Sequence, residues 1–420
     1  MLPSRGMRTS RRQFITVAAG AAAVASTRVH AVRQTSADAY DVVVVGAGVF
    51  GSWSAYHLAN AGKRVALVDA YGPGNSRASS GGETRIIRSA YGANETYTRW
   101  SWRSLEQWKA LFGQAQPPYF HETGVLFLAR TTDPQTEASL TTLTRVGVPH
   151  ERLERAELDR RFPQFNFGQI QWAIHEPKGG VLMARRAVQL VQAAARAAGV
   201  VYIDGRARPI SETASDGPLD AVELGDGRTV RGAAFVFACG PWLPKVCPSV
   251  LGGRIFPTRQ EVFYVGPPAG DVRFGASSIP AWIDFAEEIY GLPDIERKGF
   301  KIAPDRHGVP FDPDTGERVV TAAGRQAVRA YVAKRFPALA RQPFVASEVC
   351  QYENTSNGDF LIDRHSERPN VWLVGGGSGH GFKHGPAVGQ YVAEHVVSGA
   401  APEPLFSLAT KATRQRRSVF

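Results

Sequence analysis

Between Asp41 and Asp69 the chain reads as strand, glycine turn, helix and second strand, and no other segment of it constrains the fold as tightly. Asp41-Val-Val-Val-Val45 is a continuous apolar run of the kind that is buried on both faces of a parallel sheet. Gly46-Ala47-Gly48-Val49-Phe50-Gly51 follows, then a helical pattern through Ala55, Leu58 and Ala59, then Arg64-Val-Ala-Leu-Val-Asp69. Gly46 permits the tight turn, Gly48 lets a pyrophosphate approach the backbone, and Gly51 lets helix and strand pack closely. The helix N-terminus stabilises the phosphate charge. Asp69, 23 positions after Gly46, is placed to accept hydrogen bonds from ribose hydroxyls. The unit predicts a Rossmann-like α/β domain that binds a dinucleotide, without separating FAD from a nicotinamide cofactor.

Further elements follow the same logic. A helix is expected over 97–111, where Trp100, Trp102 and Trp108 read as packing residues rather than a substrate cage. Another is expected over 182–198, leading into a strand at 200–203. Gly225-Asp226-Gly227 signals a hairpin within 222–230, and a buried strand over 233–238 ends at Cys239-Gly240-Pro241-Trp242. A last strand at 371–374 runs into Gly375-Gly-Gly377-Ser-Gly379-His380-Gly381-Phe382-Lys383, with a helix over 386–397 behind it. Ligands bind at the carboxyl ends of such strands, so both glycine clusters are expected over one cofactor. The strand-like, Pro-rich regions 119–182 and 253–349 are expected to form an interleaved second domain.

The first 31 residues carry five arginines and no acidic residue, with an apolar run over 14–25. Ser10-Arg11-Arg12-Gln13-Phe14-Ile15 puts paired arginines ahead of that run, the pattern of a twin-arginine export signal. Removal after Ala31 lowers the net charge from +11 to +6 over the remaining 389 residues, which takes away the main support for a nucleic-acid partner. No later run reaches the roughly 18 apolar residues of a membrane span, so no stable membrane insertion is expected. A tightly held flavin can leave the cytoplasm with its protein, whereas a dissociating nicotinamide cofactor cannot. A periplasmic or secreted location is expected. The basic tail, with Lys411, Arg414, Arg416 and Arg417, reads as a solvated, frayed end. Cys239, Cys247 and Cys350 are too few for a disulfide framework, although a Cys239–Cys247 bridge stays open.

Over about residues 40–400 the chain resembles the monomeric sarcosine oxidase and N-methyltryptophan oxidase group of the D-amino-acid-oxidase-like flavoproteins. The resemblance rests on Gly46 to Asp69, Gly82-Glu-Thr84-Arg85-Ile-Ile-Arg88-Ser-Ala-Tyr-Gly92, Tyr290-Gly-Leu-Pro, Gly299-Phe-Lys301, Cys350-Gln-Tyr352 through Phe360-Leu-Ile-Asp363, and Ser378-Gly379-His380-Gly-Phe-Lys383. It implies FAD as cofactor, held by Gly46, Gly48, Gly51, Asp69, Thr84, Arg85, Gly377, Gly379 and Lys383, and joined covalently through Cys350. It implies a discontinuous FAD-binding domain over 38–118, 183–252 and 350–400, a mixed-sheet substrate domain over 119–182 and 253–349, and a tail over 401–420. The implied reaction is oxidation of a secondary or N-methyl amino acid by hydride transfer to flavin N5. The imine then hydrolyses, and O2 becomes H2O2. Arg88 and Lys383 match the pair that clamps the substrate carboxylate, Lys301 the lysine that promotes reaction with oxygen, and Tyr290 and His380 the pocket walls. A monomer is implied.

Three positions at two places depart from the family pattern. Asp305 stands where the family has a histidine, and Ser80-Gly81 replaces a histidine pair. Rival readings are a dehydrogenase that passes electrons to a quinone or carrier, and a flavin-binding protein without catalysis. His380 and His384 have a metal-compatible spacing, but the glycines between and beside them argue against one helical face, and no metal is expected.

Overall fold

The computed structural model describes residues 39–210 and 217–416. The export signal over 1–31 and Arg417 lie outside the described residues. Seven strands form one sheet in the order Leu361–Arg364, Val371–Gly375, Thr229–Phe237, Tyr40–Val45, Val65–Asp69 and Val201–Asp204, with Ala221–Glu223 hairpinned onto Thr229–Phe237. The four strands from Val371–Gly375 to Val65–Asp69 pair in parallel. Their alternation explains the unbroken valine run. Val42 and Val44 enter the core cluster beneath the helices, and Val43 and Val45 enter the cluster on the opposite face. Each such burial removes a side chain from water on both sides of the sheet and contributes roughly 1.5–3 kcal/mol.

The helix Val49–Asn60 lies on one face between helices Ala184–Ala197 and Gly385–Ser398. Helix Glu95–Phe112 closes this layer, and its tryptophans pack as expected. Trp108 is fully buried against Trp53 and Phe382, and Trp100 stacks on Phe406. Over its described residues the tail is anchored rather than frayed, although Arg414 and Arg416 are solvated as expected. Phe406 is buried, Lys411 turns inward to donate to the Leu405 carbonyl at 2.9 Å, and the Ala412 N–H reaches Ser356 Oγ at 2.8 Å. Apolar anchoring outweighs the basic character of the segment.

A second sheet of eight strands runs Phe344–Asn354, Phe256–Val265, Phe300–Pro304, Ile289–Leu292, Ala281–Asp284, Val125–Ala129, Trp172–Glu176 and Glu151–Glu154. Three short strands, Thr84–Ile87, Gly180–Met183 and Phe120–His121, make a small sheet beside both. Two expected boundaries fall inside strands. Leu182 and Met183 do not start a helix, because Gly180–Met183 pairs with Thr84–Ile87 and the helix begins at Ala184. A short apolar run does not distinguish strand from helix by period alone. Likewise the limit at 349/350 cuts Phe344–Asn354, which pairs with Phe256–Val265 along its whole length.

Candidate active site

A cavity of about 310 Å³ opens at the carboxyl ends of the parallel strands, bounded by the turn at Gly46 and Gly48, by Asp69, by Cys350 and by the loop from Gly377 to Phe382. The glycine turn is built as its sequence requires. Gly46 sits at φ +106°, and a Cβ on Gly51 would lie 1.8 Å from the Gly46 carbonyl oxygen. Asp69 holds this turn as well as facing the cavity. Its Oδ2 accepts from the Ala47 N–H at 2.7 Å, and its Oδ1 from Tyr71 and Gly72 at 2.8 and 2.7 Å. A carboxylate has about four acceptor sites, so Asp69 retains capacity toward a ligand. Ser80, at one of the departures from the family pattern, accepts from the Val49 N–H at 3.1 Å, at the first turn of the helix.

A smaller cavity of about 70 Å³ adjoins the first, and Arg85, Tyr352, Ser378, Gly379 and Phe382 line both. Arg88 and Lys383 converge here on one ring. The Arg88 guanidinium carbon lies 4.1 Å and Lys383 Nζ 5.3 Å from the Tyr91 centroid. Arg88, buried, also faces Phe127 at 5.0 Å and donates to the Ala90 carbonyl at 2.5 Å. Lys383 Nζ donates to the His380 carbonyl at 2.7 Å. Burial, then the Arg88 charge, push the lysine well below its ordinary value, with Asp305 and Glu176 opposing. Asp305 lines the same cavity and accepts from Tyr352 Oη at 2.9 Å; burial raises its pKa.

Tyr290 and His380 also face this cavity. Both nitrogens of His380 are engaged, Nδ1 with Tyr91 Oη at 3.2 Å and Nε2 with the Gly358 carbonyl at 3.0 Å. His384 Nε2 meets the same tyrosine hydroxyl at 2.7 Å. No group of three or more metal-ligating side chains occurs among the described residues.

Lys301 is buried just behind the shared wall. Its Nζ donates to the Thr84 carbonyl at 2.9 Å and lies 5.9 Å from the Tyr290 centroid, and burial, then Arg85, push it down to about 7. Lys298 is spent on an exposed ion pair with Glu83. Thr84 thus contributes its carbonyl, which also accepts from Arg85 Nη1 at 2.7 Å. Arg85 Nη2 stands 3.5 Å from Cys350 Sγ. Cys239 and Cys247 are free thiols raised by burial, Cys247 to about 12, and no bridge joins them.

The roles of three residues escaped the sequence reading. Glu176, 86 and 87 positions away, accepts from the Ser89 and Ala90 N–H groups at 2.7 and 2.8 Å and so fixes the turn that carries Arg88. Tyr91 is the ring on which both cations rest. Trp108 Nε1 donates to the Lys383 carbonyl at 3.0 Å. No local signal marks Glu176 or Trp108, since each acts through a partner remote in sequence. Tyr91 sits inside a quoted motif, where only the fold reveals its use.

The cavity, the glycine turn and the spare capacity of Asp69 fit a flavin dinucleotide. A sequence profile described as FAD dependent oxidoreductase matches residues 41–395. The peroxisomal sarcosine oxidase of Homo sapiens is 31% identical over 366 residues, 85% of this chain and 92% of that protein. The monomeric sarcosine oxidase of Streptomyces avermitilis is 30% identical over 374 residues, 87% of this chain and 96% of that one. Among solved structures, L-proline dehydrogenase from P. horikoshii superimposes with a TM-score of 0.75 at 21% identity, over 88% of this chain and 97% of the other.

Proposed function

The chain belongs to the FAD dependent oxidoreductase family, and on that premise we propose that it oxidises a secondary or N-methylated amino acid, with oxygen as the electron acceptor. One observation carries this reading. Two buried basic side chains, Arg88 and Lys383, share one aromatic ring in a cavity whose wall is also the wall of the cofactor cavity. A carboxylate is the ligand that such a pair lacks, and the curated relatives above are named for an N-methyl amino acid.

Bound FAD would supply a hydride acceptor able to pass electrons on to oxygen. Gly46, Gly48 and Asp69 would hold its adenosine and pyrophosphate portion, with Gly51 keeping the helix N-terminus close. Arg88 and Lys383 would receive the substrate carboxylate, whose charge restores the lysine proton that burial disfavours. Fixing that end orients the amine-bearing carbon, and orientation is a large share of the rate. Tyr290 and His380 limit the space beside it, the histidine ring held still by Tyr91 and Gly358. Lys301 would place a positive charge behind the reacting face.

Cys350 is the proposed covalent anchor, its Sγ 3.5 Å from Arg85 Nη2 at the wall of the large cavity. Denaturing the purified protein in acid tests this. Yellow colour is expected to stay with the polypeptide, and Cys350→Ser is expected to release all of it. Flavin freed completely from the unaltered chain overturns the linkage. Export by the twin-arginine route is proposed from residues 1–31. In a bacterial host the mature chain is expected to start at Val32, in the periplasm, and a periplasmic chain that begins at Met1 contradicts it.

A further inference from the structure

We propose that Glu353 donates a carboxyl proton to an oxygen of the cofactor's ribityl–pyrophosphate chain, and so makes retention of the dinucleotide sensitive to pH. The residue follows Tyr352 directly in the segment from Cys350 to Asp363, and no role is assigned to it above. Its side chain is about nine-tenths buried and lines the large cavity. Oε1 accepts from the Gly377 N–H at 3.4 Å, whereas Oε2 has no partner among the described residues. That free oxygen lies where two parallel strands end, 3.2 Å from the Cβ position of Gly375 and 3.8 Å from that of Gly240. The Gly46 turn meets the same corner, since its own Cβ position is 3.3 Å from the Cys239 backbone. A buried polar atom without a partner costs free energy, and a ligand oxygen in the cavity would remove that cost.

The protonation state decides the sign. Burial pushes Glu353 up to about 7, with the Gly377 and Gly376 N–H groups opposing. Below that pH the neutral acid is a donor; above it a carboxylate would face an anionic chain. The groups around it do not supply the same titration. Cys239, on the facing turn, is held well above its ordinary value, and Asp69 lies beyond it. Lys245 at the rim is paired with Asp312 and Asp314, and Tyr352 on the same strand is raised well above its ordinary value. Lys301 is pushed down to about 7, but it stands at the other cavity's wall and is unchanged when Glu353 is altered.

The inference rests on FAD binding and not on the amine oxidase reading. The experiment uses the full chain carrying Cys350→Ser, freed of flavin, with FAD and ADP titrated by fluorescence between pH 6 and 9. With Glu353 present, the FAD Kd is expected to rise by up to tenfold per pH unit above about 7. Glu353→Gln keeps a neutral donor and is expected to remove the slope while binding at pH 6 stays within about threefold. Glu353→Leu is expected to bind weakly at every pH, by about tenfold or more. A matching slope with ADP assigns the contact to the pyrophosphate, and a slope with FAD alone assigns it to the ribityl chain. An unchanged slope in Glu353→Gln, or full affinity in Glu353→Leu, overturns the proposal. Absence of any FAD binding by the unaltered Glu353 chain would instead overturn the cofactor reading itself.

Discussion

Replacing Lys301 with methionine is expected to slow reoxidation of the reduced enzyme by oxygen by two to three orders of magnitude, about what one nearby charge is worth. Anaerobic reduction by substrate should stay within a few fold. A unit charge about 4 Å from developing negative charge stabilises it by roughly 4 kcal/mol at an effective dielectric near 20. That corresponds to about a thousandfold. The lower end of the range applies where part of the lysine is already neutral. Burial, then Arg85, push Lys301 down to about 7, and only the charged form assists. The oxygen rate should therefore be highest at low pH and fall as pH rises past the lysine's value, and the methionine variant should be flat. Stopped-flow mixing of reduced enzyme with oxygen reads both. Equal oxygen rates in the two proteins would show that Lys301 has no such task, and would turn the reading toward a dehydrogenase with another electron acceptor.

Arg88→Met is expected to lower kcat/KM for an amino-acid substrate by tens- to thousands-fold. Removing one partner of a buried, hydrogen-bonded charge pair costs about 2–5 kcal/mol, and each 1.36 kcal/mol is about tenfold. Much of that loss should appear in kcat, because a carboxylate held by Lys383 alone would pivot and misplace the reacting carbon. An N-methyl amine without a carboxylate supplies the control. It should react slowly with both proteins and at nearly the same rate, because it never engages the guanidinium. If Arg88→Met keeps kcat/KM for the amino acid within threefold, the carboxylate clamp is wrong.

The glycine turn, its flanking strands and Asp69 were legible because each meets a local demand: φ +106° at Gly46, helix contact at Gly51, and turn N–H groups around the carboxylate. The buried tryptophans, the 225–227 hairpin and the last strand and helix were legible for the same reason. Interleaving could not be read to the residue. Gly180–Met183 and Phe344–Asn354 owe their strand character to partners about 90 residues away, and no window of sequence contains both halves of those pairs. Glu176 and Glu353 were invisible for a related reason. A glutamate in an apolar strand gives no sign of whether its oxygens meet backbone N–H groups, as in Glu176, or an open cavity, as in Glu353. The basic tail misled because charge was weighed and Phe406 was not.

The strand Phe344–Asn354 pairs with Phe256–Val265 in the eight-stranded sheet, yet its end carries the Glu353 contact to the glycine loop that follows the seven-stranded one. One strand therefore contributes both Cys350 and Glu353 to the lining of the cavity that lies along the other sheet. A dinucleotide seated there would act as a mechanical tie between the two sheets. Binding free energy spent on that tie is coupling free energy between the sheets, so the occupied protein should melt as one cooperative unit, with the seam between them as its least protected boundary when empty.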